Sequence, residues 1–325
     1  MTQSYYRWKL TETPLRVGVA TAWLAESDGR IVGQYAGTPM RFQHEGEIVQ
    51  ALHGCDVMTA PDFRGRGVLT ALGTVARDAW ADSGITLVTG LHYGGWGSRR
   101  HFLGWREQFR ALHLWRPIRL DRIVRRILPL PPLGSRLAAA IGAAWMWMTT
   151  RSPEPATADI TVVTVSRPGP QFDTLWRRIG RDYESLVVRD RVWVTYRYAD
   201  APDGHYRIML ATRGEDPMGY IVIRVPEDRG RVGLIVDLFA SAGDEVTRSK
   251  LVRAALAALD EAGAHSVRTY VSEGTSLFRE LRRLGFLRWK GHFDVSIIPL
   301  ERARDYASLS DPSRWFVMPG DFDVY

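Results

Sequence analysis

Apolar and polar positions along the chain alternate in two similar successions of short strands around one helix. In the first, Gly18–Ala25 and Arg30–Met40 read as strands split by the turn Glu26-Ser27-Asp28-Gly29. In the second, Tyr206–Thr212 and Met218–Val225 are split by Gly214-Glu215-Asp216. A third strand ends near Asp56-Val57 in one and near Asp237-Leu238 in the other. A helix follows each, Val68–Ser83 and Glu245–Ala262, the latter with Val246, Leu251, Ala254, Leu256 and Leu259 near helical spacing. Another strand, Ile85–Gly90 or Ser266–Val271, leads through a short helix to Leu103-Gly104-Trp105 or Leu284-Gly285-Phe286. Asp56 to Gly104 and Asp237 to Gly285 both span 48 residues. Shared order and spacing predict an internal duplication.

An upstream pattern repeats at an offset of 188: Arg7-Trp8-Lys9-Leu10-Thr11-Glu12-Thr13-Pro14 and Thr195-Tyr196-Arg197-Tyr198-Ala199-Asp200-Ala201-Pro202. The copies are unequal. The second opens with a strand, Ile160–Val165, and a helix, Gln171–Glu184, for which the six residues before Arg7 leave no room. The first copy is therefore expected to have its strand edge covered by something else, or to start late. The expected organisation is a first domain over 1–120, a linker over 121–158 and a second domain with its tail over 159–325. The linker holds Pro129, Pro131 and Pro132 and an apolar run, Leu137–Met148, with Trp145 and Trp147. That run reads either as a helix bridging the domains or as a membrane-surface or acyl-chain contact. Its 12 residues fall short of the roughly 20 a spanning helix needs.

Composition changes little. The 325 residues are 45% hydrophobic and 24% charged, ordinary for a globular chain of about two domains. The lone cysteine, Cys55, excludes an internal disulfide framework and a multi-cysteine zinc site, and fits a reducing compartment. No apolar signal core follows Met1, so the chain is expected to be cytoplasmic, with no transmembrane segment. The net charge is +7, but only Lys9, Lys250 and Lys290 are lysines, and the arginines are scattered among 36 acids. A solvated surface explains this better than a nucleic-acid face, and no nucleic-acid partner is expected.

The most informative stretch runs from Asp56 to Thr70. A strand ends, Pro61-Asp62 turns the chain, and Arg64-Gly65-Arg66-Gly67 opens a helix at Val68-Leu69-Thr70. A helix start presents unpaired N–H groups and the positive end of the dipole, a ready anion site. Gly65 and Gly67 allow close backbone approach, and Arg64 and Arg66 add charged donors. The Lys-Ser/Thr ending of a P-loop and the third glycine of a dinucleotide fold are both missing.

From Arg64 to Leu69 the chain resembles the Gln/Arg-x-x-Gly-x-Gly/Ala loop of the GNAT superfamily of acyl-CoA-dependent N-acyltransferases, departing from it at Leu69. The Pro-x-Phe before the loop, the helix after it and Leu103-Gly104-Trp105 strengthen the match. Each copy looks like a GNAT domain, and the arrangement is similar to bacterial tandem GNAT proteins. The opening Trp8-Lys9 with Pro14 and the closing Trp315–Asp323 also resemble that group. The resemblance implies an α/β (α+β) fold of two tandem units, each a mixed, mostly antiparallel central sheet flanked by helices. In the second copy the loop is replaced by Ala240-Ser241-Ala242-Gly243-Asp244-Glu245, which has no arginine and two carboxylates. That copy looks like a GNAT fold without its coenzyme site.

By the same resemblance, Val57, Met58 and Thr59 line the pantetheine arm of acetyl-CoA or another acyl-CoA. Arg64, Gly65, Arg66, Gly67, Val68, Leu69 and Thr70 hold its pyrophosphate, and no metal is needed. An acceptor amine attacks the thioester directly, and a base removes its proton. Candidates lie on the strand before the loop, where alternation places His53 and Cys55 on one face and Asp56 on the other unless a bulge intervenes. Asp237, the counterpart of Asp56 in the second copy, argues for a structural role. The family's Asn and Tyr positions hold His92 and Arg100 here, which leaves Tyr93 or His101 as stand-ins for the thiolate acid. The tail, with Asp321, Asp323 and Tyr325, is either a packed end or returns to the cleft and offers carboxylates to a cationic acceptor.

The leading expectation is acyl transfer to the amine of a small or sugar-like molecule, with a homodimer compatible with the exposed edge. A tRNA-dependent aminoacyltransferase and a non-catalytic acyl-CoA-binding protein are the alternatives.

Overall fold

The computed structural model describes residues 2–15, 18–93, 96, 98–120, 122–123, 133–134, 136–137, 140–142, 144, 159–202, 204–226, 232–301 and 304–322. Most of the apolar stretch 137–148 therefore lies outside the described residues. Among the described residues, no helix is long and apolar enough to cross a membrane.

Helix α1 (Gln3–Leu10) opens the chain, its start capped by the Thr2 hydroxyl, which accepts from the Tyr5 amide. Strands β1 (Ala22–Ser27), β2 (Arg30–His44) and β3 (Glu47–Thr59) follow as an antiparallel meander. Its two hairpins turn at Asp28-Gly29 and Glu45-Gly46, where all four residues have positive φ. That is the conformation of two-residue turns matched to strand twist, and it favours glycine at the second place. Helix α2 (Val68–Asp82) then buries Leu72, Ala76 and Trp80, one face at a spacing of four. Strand β4 (Leu87–Tyr93) returns parallel to β3, and β5 (Arg106–Pro117) ends the first copy.

The second copy supplies β6 (Ile160–Val165), α3 (Pro170–Ile179), β7 (Ser185–Val187) and α4 (Arg191–Val194), which runs into a π-helical turn over Thr195–Ala199. It then repeats the first: β8 (Tyr206–Arg213), β9 (Asp216–Arg224), β10 (Val232–Ala240), α5 (Glu245–Glu261), β11 (Ser266–Ser272), α6 (Ser276–Arg283) and β12 (Leu287–Pro299). The helix expected over 171–184 stops at Ile179 because Ser185–Val187 is drawn into a strand against Phe42–His44 of β2. Segment β7 thus covers part of the first copy's sheet, while β1 stays at the edge, its pairing with β2 broken by an irregularity at Ala25/Glu26.

All strands join one mixed, mostly antiparallel sheet in the order β1-β2-β3-β4-β12-β5-β11-β10-β9-β8-β6, with β7 beside β2. The copies exchange their last strands. Strand β12 lies between β4 and β5, and β5 lies between β12 and β11. The sheet is therefore continuous across both halves of the chain. The copies also meet through equivalent residues: the Trp8 and Tyr196 rings stack at 4.8 Å, and Trp8 Nε1 donates to the Tyr196 carbonyl at 3.2 Å. The Tyr196 hydroxyl returns a bond to the Trp8 carbonyl at 3.4 Å. Residues 188 apart in sequence thus pack on each other.

Candidate active site

Strands β3 and β4 pair at only three rungs, Ala51↔Leu87, Leu52↔Val88 and His53↔Thr89. Beyond His53 they part into a fork. Strand β3 carries an irregularity opposite Gln34–Ala36, with Asp56 at φ 49°, a backbone conformation that is costly for a non-glycine residue. Past the fork, Pro61–Phe63 forms a 3-10 turn, and Gly65 and Gly67 take φ of 76° and 80°. A Cβ on either glycine would meet open space, so these positions need glycine for its left-handed backbone rather than for room.

A cleft of about 820 Å³ opens here. Val57, Met58 and Thr59 form one side, and Arg64, Gly65, Gly67, Val68, Leu69 and Thr70 form another. Nine residues singled out from the sequence thus share one wall system. Phe63, Trp96 and Phe102 complete it; of these the sequence signalled only Phe63, through the Pro-x-Phe. Arg66 is not on the wall and stands 5.2 Å over the Phe63 ring. His92 lies one layer behind, stacked on Trp96 at 4.6 Å. Helix α2 has no side-chain cap at Gly67 and no acid in its first turn, so no side chain of its own start neutralises its opening amides and positive dipole end.

The second copy treats the same place in the opposite way. The Asp244 side chain accepts from the Thr247 amide at 2.9 Å and from its hydroxyl at 2.6 Å, and Asp182 accepts from the Ala242 amide at 3.2 Å. Glu245 adds a further acid in the first turn of α5. Carboxylates of the protein itself occupy this helix start. Strands β10 and β11 also part after three rungs, but the C-terminal segment packs against both of them. Met318 is fully buried in the core that holds Leu238 and Val271. Gly320 lies so close to β10 that a Cβ would come within 3.0 Å of the Val236 carbonyl oxygen.

A buried network anchors this segment. Arg189 donates to Asp237 at 3.1 Å and to Asp321 at 2.5 Å, all three side chains being almost wholly buried. The hydroxyls of Tyr220 and Tyr198 donate to the other Asp237 oxygen at 2.8 and 3.2 Å. Burial, reinforced by the neighbouring Asp237 charge, pushes the Asp321 carboxyl up to about 6 against the pull of Arg189. A group whose pKa rises on folding binds its proton more tightly in the native state. Its contribution to stability is full below the unfolded value near 4 and is lost as pH climbs through about 6. The Asp321→Asn protein is therefore expected to gain stability relative to wild type between pH 4 and pH 6, read as the difference in melting temperature across that range.

On the α1 side of the sheet, His53 is buried and meets Phe322 edge-on at 5.2 Å, beside a cavity of about 20 Å³ that Lys9, Thr38 and Tyr5 also line. Cys55 is buried with Leu10 and Ala36, its sulfur 3.5 Å from the Thr38 hydroxyl. The Asp56 carboxylate accepts from Lys9 Nζ at 2.8 Å in a largely buried pair. Tyr93 does not join either group: it is 65% exposed at the end of β4, edge-on to Phe293 at 5.6 Å. His101 is exposed on the 3-10 turn Ser98–Leu103. The tail does return to the fork of the first copy, but it brings the Phe322 ring, while the Asp321 carboxylate is spent on Arg189. Asp323 and Tyr325 lie outside the described residues.

Residues 2–94 match the family model of the acetyltransferase (GNAT) domain. No curated protein matches the chain. Among solved structures, a GCN5-related N-acetyltransferase from Anabaena variabilis is similar over 92% of this chain and 66% of its own, at 13% identity and a TM-score of 0.63. One from Kribbella flavida is similar over 85% and 59%, at 16% identity and a TM-score of 0.53. Saccharomyces cerevisiae N-myristoyltransferase with bound myristoyl-CoA is similar over 91% and 74%, at 11% identity and a TM-score of 0.62. The chain spans about three-fifths to two-thirds of the two GCN5-related structures. With the fork, the glycine loop and the mixed sheet in place, residues 2–94 are similar to the acetyltransferase (GNAT) domain, and the chain shares its fold with GCN5-related N-acetyltransferases.

Proposed function

We propose that this chain transfers an acyl group, acetyl by preference, from coenzyme A to the amine of a small or sugar-like molecule, with the first copy holding the coenzyme and the second shaping the acceptor side. The contrast between the two helix starts carries this reading: one is left open to an anion, and the other is capped by Asp244. The diphosphate fits the amides of residues 65–70 with Arg64 beside them. The backbone of Val57–Thr59, unpaired with β4, offers its groups to the pantetheine amides. The coenzyme supplies an activated thioester carbonyl. The amine adds to that carbonyl carbon, and the carbon–sulfur bond then breaks, leaving the amide product and the coenzyme thiolate. His53, at the last rung of the fork and on the face opposite α2, takes the ammonium proton directly or through one water, for which the cavity of about 20 Å³ beside it has room. A reducing, cytoplasmic setting suits the lone buried thiol of Cys55.

His53→Gln roughly keeps the size of the side chain but removes the imidazole base. The rate of release of free coenzyme thiol in the presence of a reactive amine should fall on the order of a hundredfold, with the acetyl-CoA dissociation constant unchanged. An unchanged rate assigns the base elsewhere.

A further inference from the structure

We infer that Trp105 sets the acyl length, restricting the fork to acetyl-sized groups; the inference rests on the coenzyme reading above. Gly54 and Gly90 are the first residues beyond the last rung that β3 and β4 share. Neither has a positive φ, so the backbone does not require glycine there. The space does. A Cβ on Gly54 would stand 3.1 Å from the Trp105 ring, and one on Gly90 would stand 2.7 Å from it. The indole, 3% exposed, thus lies across the base of the fork on the α2 side. The equivalent places in the second copy hold Ile235, Val271 and Phe286, a smaller ring facing two branched side chains. The first copy has exchanged strand side chains for one large ring at the point where the thioester is expected. Glycine weakens a strand, and inside one it marks a place that something must approach closely.

The aromatic wall continues outward from there. His92 meets Trp105 edge-on at 4.6 Å and stacks on Trp96, which lines the coenzyme cleft. On the other face of the sheet, the cavity beside His53 has room for one water-sized group. An acyl chain growing from the fork meets the indole on one side and a cavity of only about 20 Å³ on the other. An acetyl group fits, and a hexanoyl chain does not.

Calorimetric titration of the full chain with coenzyme A, acetyl-CoA and hexanoyl-CoA tests this. Wild type is expected to bind acetyl-CoA about as well as coenzyme A, and hexanoyl-CoA at least tenfold more weakly. Trp105→Ala should narrow that gap to less than threefold. Trp105→Phe, which installs the ring the second copy uses, should shift it part of the way and carries the test if the alanine variant does not fold. Equal binding of acetyl- and hexanoyl-CoA by wild type, or an unchanged ratio in a folded variant, overturns the role of Trp105. Absence of binding by coenzyme A itself overturns the coenzyme reading instead.

Discussion

Gly67→Glu is expected to abolish coenzyme binding while the protein still folds. Gly67 precedes the first turn of α2 at φ 80°, a region in which a side chain costs about 1–2 kcal/mol. Part of that cost is offset because a carboxylate at a helix start gains about 0.3–1 kcal/mol from the dipole. Nothing lies within 4 Å of the new Cβ, so no packing is lost. The effect on the coenzyme is larger. A carboxylate about 4 Å from a phosphate charge near a protein surface costs roughly 4 kcal/mol, close to a thousandfold in affinity. It also takes the amides for itself, as Asp244 does in the second copy. Gly67→Ala separates the two contributions, since it carries the backbone strain without the charge. Titration with acetyl-CoA should show a modest loss for alanine and no measurable heat for glutamate, with melting temperatures of both within a few degrees of wild type. Equal losses in the two variants would mean that loop conformation, and not charge, governs binding.

Arg189→Met is expected to produce the largest loss of stability. The substitution leaves Asp237 and Asp321 buried without their cation, and breaking a buried ion pair from one side costs about 3–5 kcal/mol. For a chain of 325 residues that corresponds to a fall of roughly 4–7 °C in melting temperature. The segment Met318–Phe322 should loosen first, because Asp321 also accepts from the Met318 amide at 2.9 Å. Phe322 would then lose its place against His53, so the acceptor KM should rise before the coenzyme affinity changes. Adding Asp321→Asn to Arg189→Met removes one stranded charge and should recover part of the loss. A melting temperature within 2 °C of wild type for Arg189→Met would show that water reaches the pair and that the tail is held by apolar packing alone.

Local signals in the sequence carried most of the fold. The turns at Asp28-Gly29 and Gly214 and the helix after the glycine loop depend on neighbours a few residues apart, which is why turn chemistry and periodicity place them. The glycine loop was legible for the same reason, since its function depends on consecutive backbone groups. The exchange of β5 and β12 was not. Both strands alternate in the same way whichever partner they take, and their registers with β11 and β4 are set across the whole chain. The kink at Asp56 was invisible because its cause is distant: Lys9 on α1 holds the carboxylate. The choice between the two readings of the tail was not legible for a similar reason, as Asp321 finds Arg189 at a separation of 132 residues. Trp96 and Phe102 join the cleft through the folding of the segment after β4, and no motif marks them.

The structure of the chain crystallised with coenzyme A tests the central claim most directly. One coenzyme per chain is predicted, its diphosphate against the amides of residues 65–70 and its pantetheine between β3 and β4. Coenzyme lodged between β10 and β11 in place of Met318–Asp321, or a diphosphate held away from Gly65 and Gly67, would contradict the account.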